Sequence, residues 1–128
     1  MTIPWRPEEL RLIGQADEVH IATTRGDGTF GPAVPVWVVR VRDQLYVRTW
    51  YRRDTGWFGR AMRSHRARIA RPTGPFDVVL QDVADDHSVT TDVSTAYRAK
   101  YARYGAATVD AMVTTAAAAT TLRLTRAV

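Results

Sequence analysis

Ala33-Val34-Pro35-Val36-Trp37-Val38-Val39-Arg40-Val41 is the stretch on which the fold turns. It is dense in β-branched residues and its side chains alternate. Val34, Val36 and Val38 point to one side; Trp37, Val39 and Val41 point to the other. Both sides are apolar, so a strand here needs cover on both faces. Just before it, residues 19–24 alternate as a strand, and Arg25-Gly26-Asp27-Gly28 supplies turn chemistry because Asp-Gly tolerates positive φ. Just after it, a tight turn near Arg42-Asp43 leads into residues 44–50. There Leu45 and Val47 share one face, and Tyr46, Arg48 and Trp50 share the other. Three strands joined this closely predict an antiparallel meander.

The rest of the chain supplies three more strands and the helices. Pro7, Glu8 and Glu9 read as a first helical turn, with Leu10 and Ile13 as its apolar face and Gly14 as its stop. Asp54 or Thr55 is placed to cap a helix whose buried stripe is Trp57, Phe58, Ala61 and Met62. Residues 67–71 and 76–83 read as strands around the turn 72–75, with Phe76, Val78 and Leu80 on one side. Residues 85–104 read as a long helix with Val89, Val93, Ala96, Tyr97, Lys100, Tyr101 and Tyr104 on one face, stopped by Gly105. Met112 and Val113 anchor a stretch of small residues. Residues 120–126 close the chain as a strand with Leu122 and Leu124 inward. The pattern predicts an α+β domain spanning 1–128, a six-stranded antiparallel barrel, closed or partly closed, with flanking helices.

At 128 residues the chain can bury one core without staples. It has no cysteine, which excludes disulfides and thiolate metal sites. Residues 1–10 contain no apolar run, so neither a signal peptide nor a membrane span is expected there, and the expected location is cytoplasmic. The net charge is +5, and Lys100 is the only lysine. Between Arg40 and Arg71 ten arginines face two aspartates. Such a surplus attracts phosphate, or it is a solvated face.

Gly26, Gly28 and Gly31 match the spacing of a dinucleotide-binding loop, but Pro32 and a strand follow where that motif needs a helix, so the glycines read as a hairpin. His20, His65 and His87 fall on separate elements and form no His-x-x-x-His pattern, and Asp85-Asp86 beside His87 read as a helix N-terminal pair, so no metal site is expected. Tyr97, Tyr101 and Tyr104 read as a core stripe, or as a pocket wall with polar tips. The most informative run is Tyr46 to Trp57. Arg48 and Thr49 end a strand, Arg52 and Arg53 follow in a loop, and a helix begins. Guanidinium forks, a hydroxyl and helix N–H groups together suit a phosphate monoester. Trp37, Trp50 and Trp57 are placed to cover a flat ring.

Pro35-Val36-Trp37-Val38-Val39-Arg40, Leu45-Tyr46-Val47-Arg48, Trp57-Phe58, Ala96-Tyr97-Arg98-Ala99-Lys100-Tyr101, Tyr104-Gly105 and Thr121-Leu122-Arg123-Leu124 resemble an uncharacterised bacterial family, domain of unknown function 2255, over residues 19–126. That family looks like the FMN-binding split-barrel superfamily, which includes pyridoxamine-phosphate oxidases and deazaflavin-dependent reductases. The resemblance implies a split β-barrel and a homodimer with an FMN or deazaflavin cofactor in a cleft between subunits. It places the ring along Val36, Trp37 and Val38, and the phosphate at Arg48, Thr49, Arg52 and Arg53, with Trp57 nearby. The lysine that many superfamily members carry after that loop is absent; Arg60 or Arg63 stands in its region. A flavin- or deazaflavin-dependent oxidoreductase acting on a small molecule is thus the first expectation. The second is a flavin-free binding module or cofactor-independent tailoring enzyme, with Tyr97, Tyr101, Arg48 or Asp54 as acid, base or anchor. Nucleic-acid binding ranks last, because no groove-reading element is recognisable.

Overall fold

The computed structural model describes residues 2–49 and 56–127. In chain order the elements are β1 (Thr2–Ile3), α1 (Pro7–Gln15), β2 (Val19–Thr23), β3 (Val34–Val36), β4 (Val38–Val41) and β5 (Gln44–Val47). Then come α2 (Gly56–Ser64), β6 (Arg66–Arg71), β7 (Phe76–Asp82), α3 (His87–Lys100), α4 (Ala106–Val113), α5 (Thr115–Ala118) and β8 (Leu122–Ala127). A 3-10 turn, Ala102–Tyr104, follows α3.

The expected strand at 33–41 is broken at Trp37. Val34–Val36 pairs with β2, as in Val19↔Val36 and Ile21↔Val34. Val38–Val41 pairs instead with β5, as in Val38↔Val47 and Val41↔Gln44. The sheet runs β3-β2-β6-β7-β8-β5-β4, all antiparallel. Its first and last strands are therefore two halves of one chain segment, and that curls the sheet into a nearly closed barrel. The strand count corrects the expected six in two ways. The break at Trp37 makes two strands of one, and Thr2–Ile3 adds a short strand beside β8.

The alternation read from the sequence assigns the two faces correctly. Val36, Val38, Leu45, Val47, Val78, Leu80, Leu122 and Leu124 pack into one cluster, together with Leu10 and Ile13 of α1 and Phe58 and Ala61 of α2. Val39 and Tyr46 face the other way, into a second cluster with Val93, Tyr97, Tyr101, Val109 and Met112. The apolar outer face of β4 is thus covered by α3 and α4 of the same chain. Leu124 is fully buried. The expected long helix ends sooner than Tyr104, at Lys100. The glycine run after β2 is a hairpin: Gly28 sits at φ +86 and its N–H donates to Arg25 O. Among the described residues no helix is long and apolar enough to cross a membrane.

Candidate functional site

Trp37 sits where the barrel wall changes partners, and the C-terminal half of α3 is bound to that point. Asp86 caps the helix start through its bond from Val89 N–H, which sets the register that delivers Tyr97, Lys100 and Tyr101 to β4. Tyr97 Oη donates to Trp37 O at 3.2 Å. Lys100 Nζ donates to Val38 O at 2.6 Å. Tyr101 Oη accepts the Val38 N–H at 3.1 Å and lies within donating distance of Asp17 O, at 2.7 Å, and Val38 O, at 3.0 Å. Among the described residues β4 has no strand partner on its second edge, so these side chains supply what a strand would have supplied.

The rings extend the same construction. Trp37 and Tyr101 are stacked with centroids 3.9 Å apart and planes parallel to 1°. Tyr104 is 5.4 Å from Trp37 and 6.0 Å from Tyr101. Those three separations put Tyr104 beside the stacked pair, not over it. The second face of the indole therefore meets neither tyrosine, and Trp37 is only half-buried. Arg103 bonds both carboxylate oxygen Asp17 Oδ1 and the Tyr104 hydroxyl, and Tyr104 bonds Asp17 Oδ2.

Electrostatics follow from burial. Tyr97 and Tyr101 are buried, and desolvation pushes both phenols well above the ordinary tyrosine value. Each hydroxyl therefore stays protonated and serves as a main-chain bonding group. Burial also lowers the Lys100 ammonium, to about 8, against the opposing pull of Asp17.

Arg48 was expected at a phosphate-binding rim and lies elsewhere. It is 1% exposed. Its Nε donates to Thr121 Oγ1, its Nη1 to Ser94 Oγ and Met112 O, and its Nη2 to Thr90 O, all at 2.9 Å. The reason is strand alternation: Arg48 shares the face of Tyr46, and α3 and α4 cover that face. Thr49 is also buried, and exchanges bonds with Thr120 through its N–H and its carbonyl. Val36 and Val38 point into the barrel core. Trp57 packs against that same core, edge-on to Phe58, in a different layer from Trp37. Arg60 Nε donates to Thr23 Oγ1 beside Gly31, where a Cβ would come within 2.6 Å of it. Asp54, Arg52, Arg53 and Trp50 lie outside the described residues.

The structure thus brings together Trp37, Arg48, Tyr97 and Tyr101 as one connected stack, with the Arg48 guanidinium 5.6 Å from the Tyr97 ring centre. It does not bring Trp57 or Val36 into that stack. The sequence reading missed the part played by Asp17 and the acceptors around Arg48. The first has no local signal. The second was foreshadowed by a run of Thr and Ser residues, Thr90, Ser94, Thr120 and Thr121, on elements next to the strand end. Among the described residues no three His, Asp or Glu side chains converge.

A family profile described as "Uncharacterized protein conserved in bacteria (DUF2255)" matches residues 9–124. No curated protein matches the sequence. The solved structure of the conserved hypothetical protein Rv2991 from Mycobacterium tuberculosis is similar in fold, with a TM-score of 0.66 at 14% identity, over 99% of this chain and 81% of that one. A second structure, an F420 reductase, aligns with a TM-score of 0.46 at 14% identity, over 91% of this chain and 90% of that one.

Proposed function

This chain belongs to that uncharacterized bacterial family, DUF2255, and we propose that it binds a planar heteroaromatic small molecule against the face of Trp37 turned away from Tyr101. We propose further that the molecule is a deazaflavin or flavin and the protein an oxidoreductase acting on a small substrate. The observation that carries the reading is the indole of Trp37, backed by Tyr101 at 3.9 Å and half-buried at the seam of the barrel. A ring held flat by a second ring is a preorganised stacking surface. The resemblance to split-barrel reductases supplies the choice of cofactor. The cleft is completed, in this proposal, by a second copy of the chain.

The residues fit such a cofactor in part. Trp37 suits its ring. Arg48 does not suit its phosphate, because its donors are engaged inside the chain, and the Val38 N–H is bonded to Tyr101. A bound flavin or deazaflavin would supply hydride-transfer chemistry. The chain's own residues hold the platform: Tyr97, Lys100 and Tyr101 keep the backbone at Trp37 from shifting, and Trp37 orients what stacks on it.

The engagement of Arg48 and Val38 favours a second reading, a flavin-free module using the same surface for another flat ligand. Fluorescence titration with riboflavin, FMN and a deazaflavin separates the two. The first reading expects saturable binding of at least one. Trp37→Ala should weaken it by roughly tenfold, in line with a lost ring-on-ring contact. Light scattering on the same sample should report a dimer. If none of the three ligands binds, the flavin-free reading stands.

A further inference from the structure

At the other end of α3, about 18 Å from Tyr101 at 1.5 Å per residue, a separate pocket opens against the β4–β5 hairpin. Its volume is about 330 Å³, at the lower end of small-molecule sites. Val41, Val89 and the ring of Tyr46 form its apolar wall; Gln44 and Ser88 add neutral polar groups. Four charged side chains line it: Arg42, Asp43, Asp92 and Arg123.

Three of these four charges already face an opposite one. Arg42 Nη2 meets Asp92 Oδ2 at 3.1 Å, and Asp43 lies 3.9 Å from Arg40. Arg123 is different. It is half-buried, and among the described residues its bonds go only to neutral acceptors. Nε and Nη2 reach the Tyr46 hydroxyl at 3.3 and 3.2 Å, and Nη1 reaches Gln81 Oε1 at 3.4 Å. All three bonds are long for a guanidinium, and none meets a carboxylate. The cross-strand register Tyr46↔Arg123 holds the group in place, with its carbon 5.5 Å from the tyrosine ring centre.

We infer that this pocket binds a small organic carboxylate, its apolar body against Val41, Val89 and Tyr46 and its carboxylate on Arg123. A half-buried fork without an acid gains most from an anion that can take two N–H donors at once. The apolar wall selects against inorganic anions, which have nothing to place there. The site is independent of the Trp37 surface and stands whether or not that surface takes a flavin.

Benzoate is the probe, with benzamide and inorganic phosphate as controls. Binding is followed by amide chemical-shift changes in the intact protein. Saturable shifts with benzoate at Gln44, Ser88 and Arg123, much weaker ones with benzamide or phosphate, are expected. Arg123→Gln should weaken benzoate by about tenfold or more, while Trp37→Ala leaves it unchanged. Arg123→Lys keeps the charge but loses the fork, and should fall between wild type and Arg123→Gln. Thermal melts of both variants show whether the fold survives. If Arg123→Gln unfolds, the wild-type comparison of benzoate with benzamide decides alone. Absence of saturable shifts with benzoate, or equal response to benzoate and benzamide, overturns the inference.

Discussion

Arg48 carries a positive charge into the interior with only neutral acceptors around it among the described residues, and burial lowers its pKa from the ordinary arginine value. Its planar fork is what makes this tolerable, because four separate acceptors lie at the angles its N–H groups require. Arg48→Ala would remove four charge-assisted bonds at once, to the carbonyls of Thr90 and Met112 and to the hydroxyls of Ser94 and Thr121. A hydrogen bond to a charged group is worth about 1.5 to 3 kcal/mol, so with four of them gone the variant should lose about 3 kcal/mol or more. Arg48→Lys should not restore it, since a point charge cannot span the four. Urea midpoints for both variants, taken without ligand, check this; an unshifted Arg48→Ala midpoint would count against the interior role. Lys100 makes a second prediction. Its folded pKa, about 8, lies below the ordinary 10.5, so between these values the unfolded chain holds more protons than the folded one. Stability should therefore rise with pH from about 8. Tyr97 and Tyr101 act oppositely: their folded values are raised above the ordinary 10.0, so stability should fall as pH climbs past it. Urea midpoints between pH 7 and 11 should show a maximum near pH 10, and Lys100→Met should abolish the rising limb.

Helix α3 works on β4 as a substitute neighbour strand. That division of labour ranks its tyrosines. Tyr101→Phe removes the partner of the buried Val38 N–H along with a bond toward Asp17 O, so it should cost about 2 kcal/mol. Tyr97→Phe removes a bond of 3.2 Å to Trp37 O and a weaker one from the Arg48 backbone, and should cost about 1 kcal/mol. Chemical denaturation of the two variants side by side gives the ranking, and equal losses would contradict it. The helix and its apolar face were legible in the sequence because a stripe at the helical period needs only local information. The two faces of 33–41 were legible for the same reason. The break at Trp37 was not, because nothing local says that Val36 and Val38 take different partners; that is decided by closure of the sheet. Arg48 was misplaced for a related reason. Alternation put it on the Tyr46 face, but an arginine at a strand end reads as a rim group until the helix covering that face is known. The pocket around Arg123 joins a hairpin, a strand and a helix distant in sequence, and left no motif.

At the scale of the whole molecule, the N-terminal segment ties the barrel to its helices. Trp5 is buried; its indole N–H donates to Leu124 O at 2.9 Å and its ring meets Phe76 edge-on at 5.7 Å. Glu9 continues the tie: Oε1 accepts the Arg6 N–H that starts α1, and Oε2 takes Arg126 Nη1 at 2.7 Å. These contacts reach β7 and β8, at the middle of the sheet path, from residues at the chain's start. The inner cluster meanwhile draws on α1, α2 and the strands at once. A core shared this widely leaves no part able to melt alone, so far-ultraviolet dichroism and tryptophan fluorescence should report one coincident urea transition. Trp5→Ala tests the tie itself. Removing a buried tryptophan typically costs about 3 to 5 kcal/mol, and the lost bond to Leu124 O adds to it. Both probes should shift together to lower urea, with the slope of the transition unchanged. A shift in one probe alone, or a split transition, would mean that the N-terminal segment is an appendage to the barrel and not part of its core.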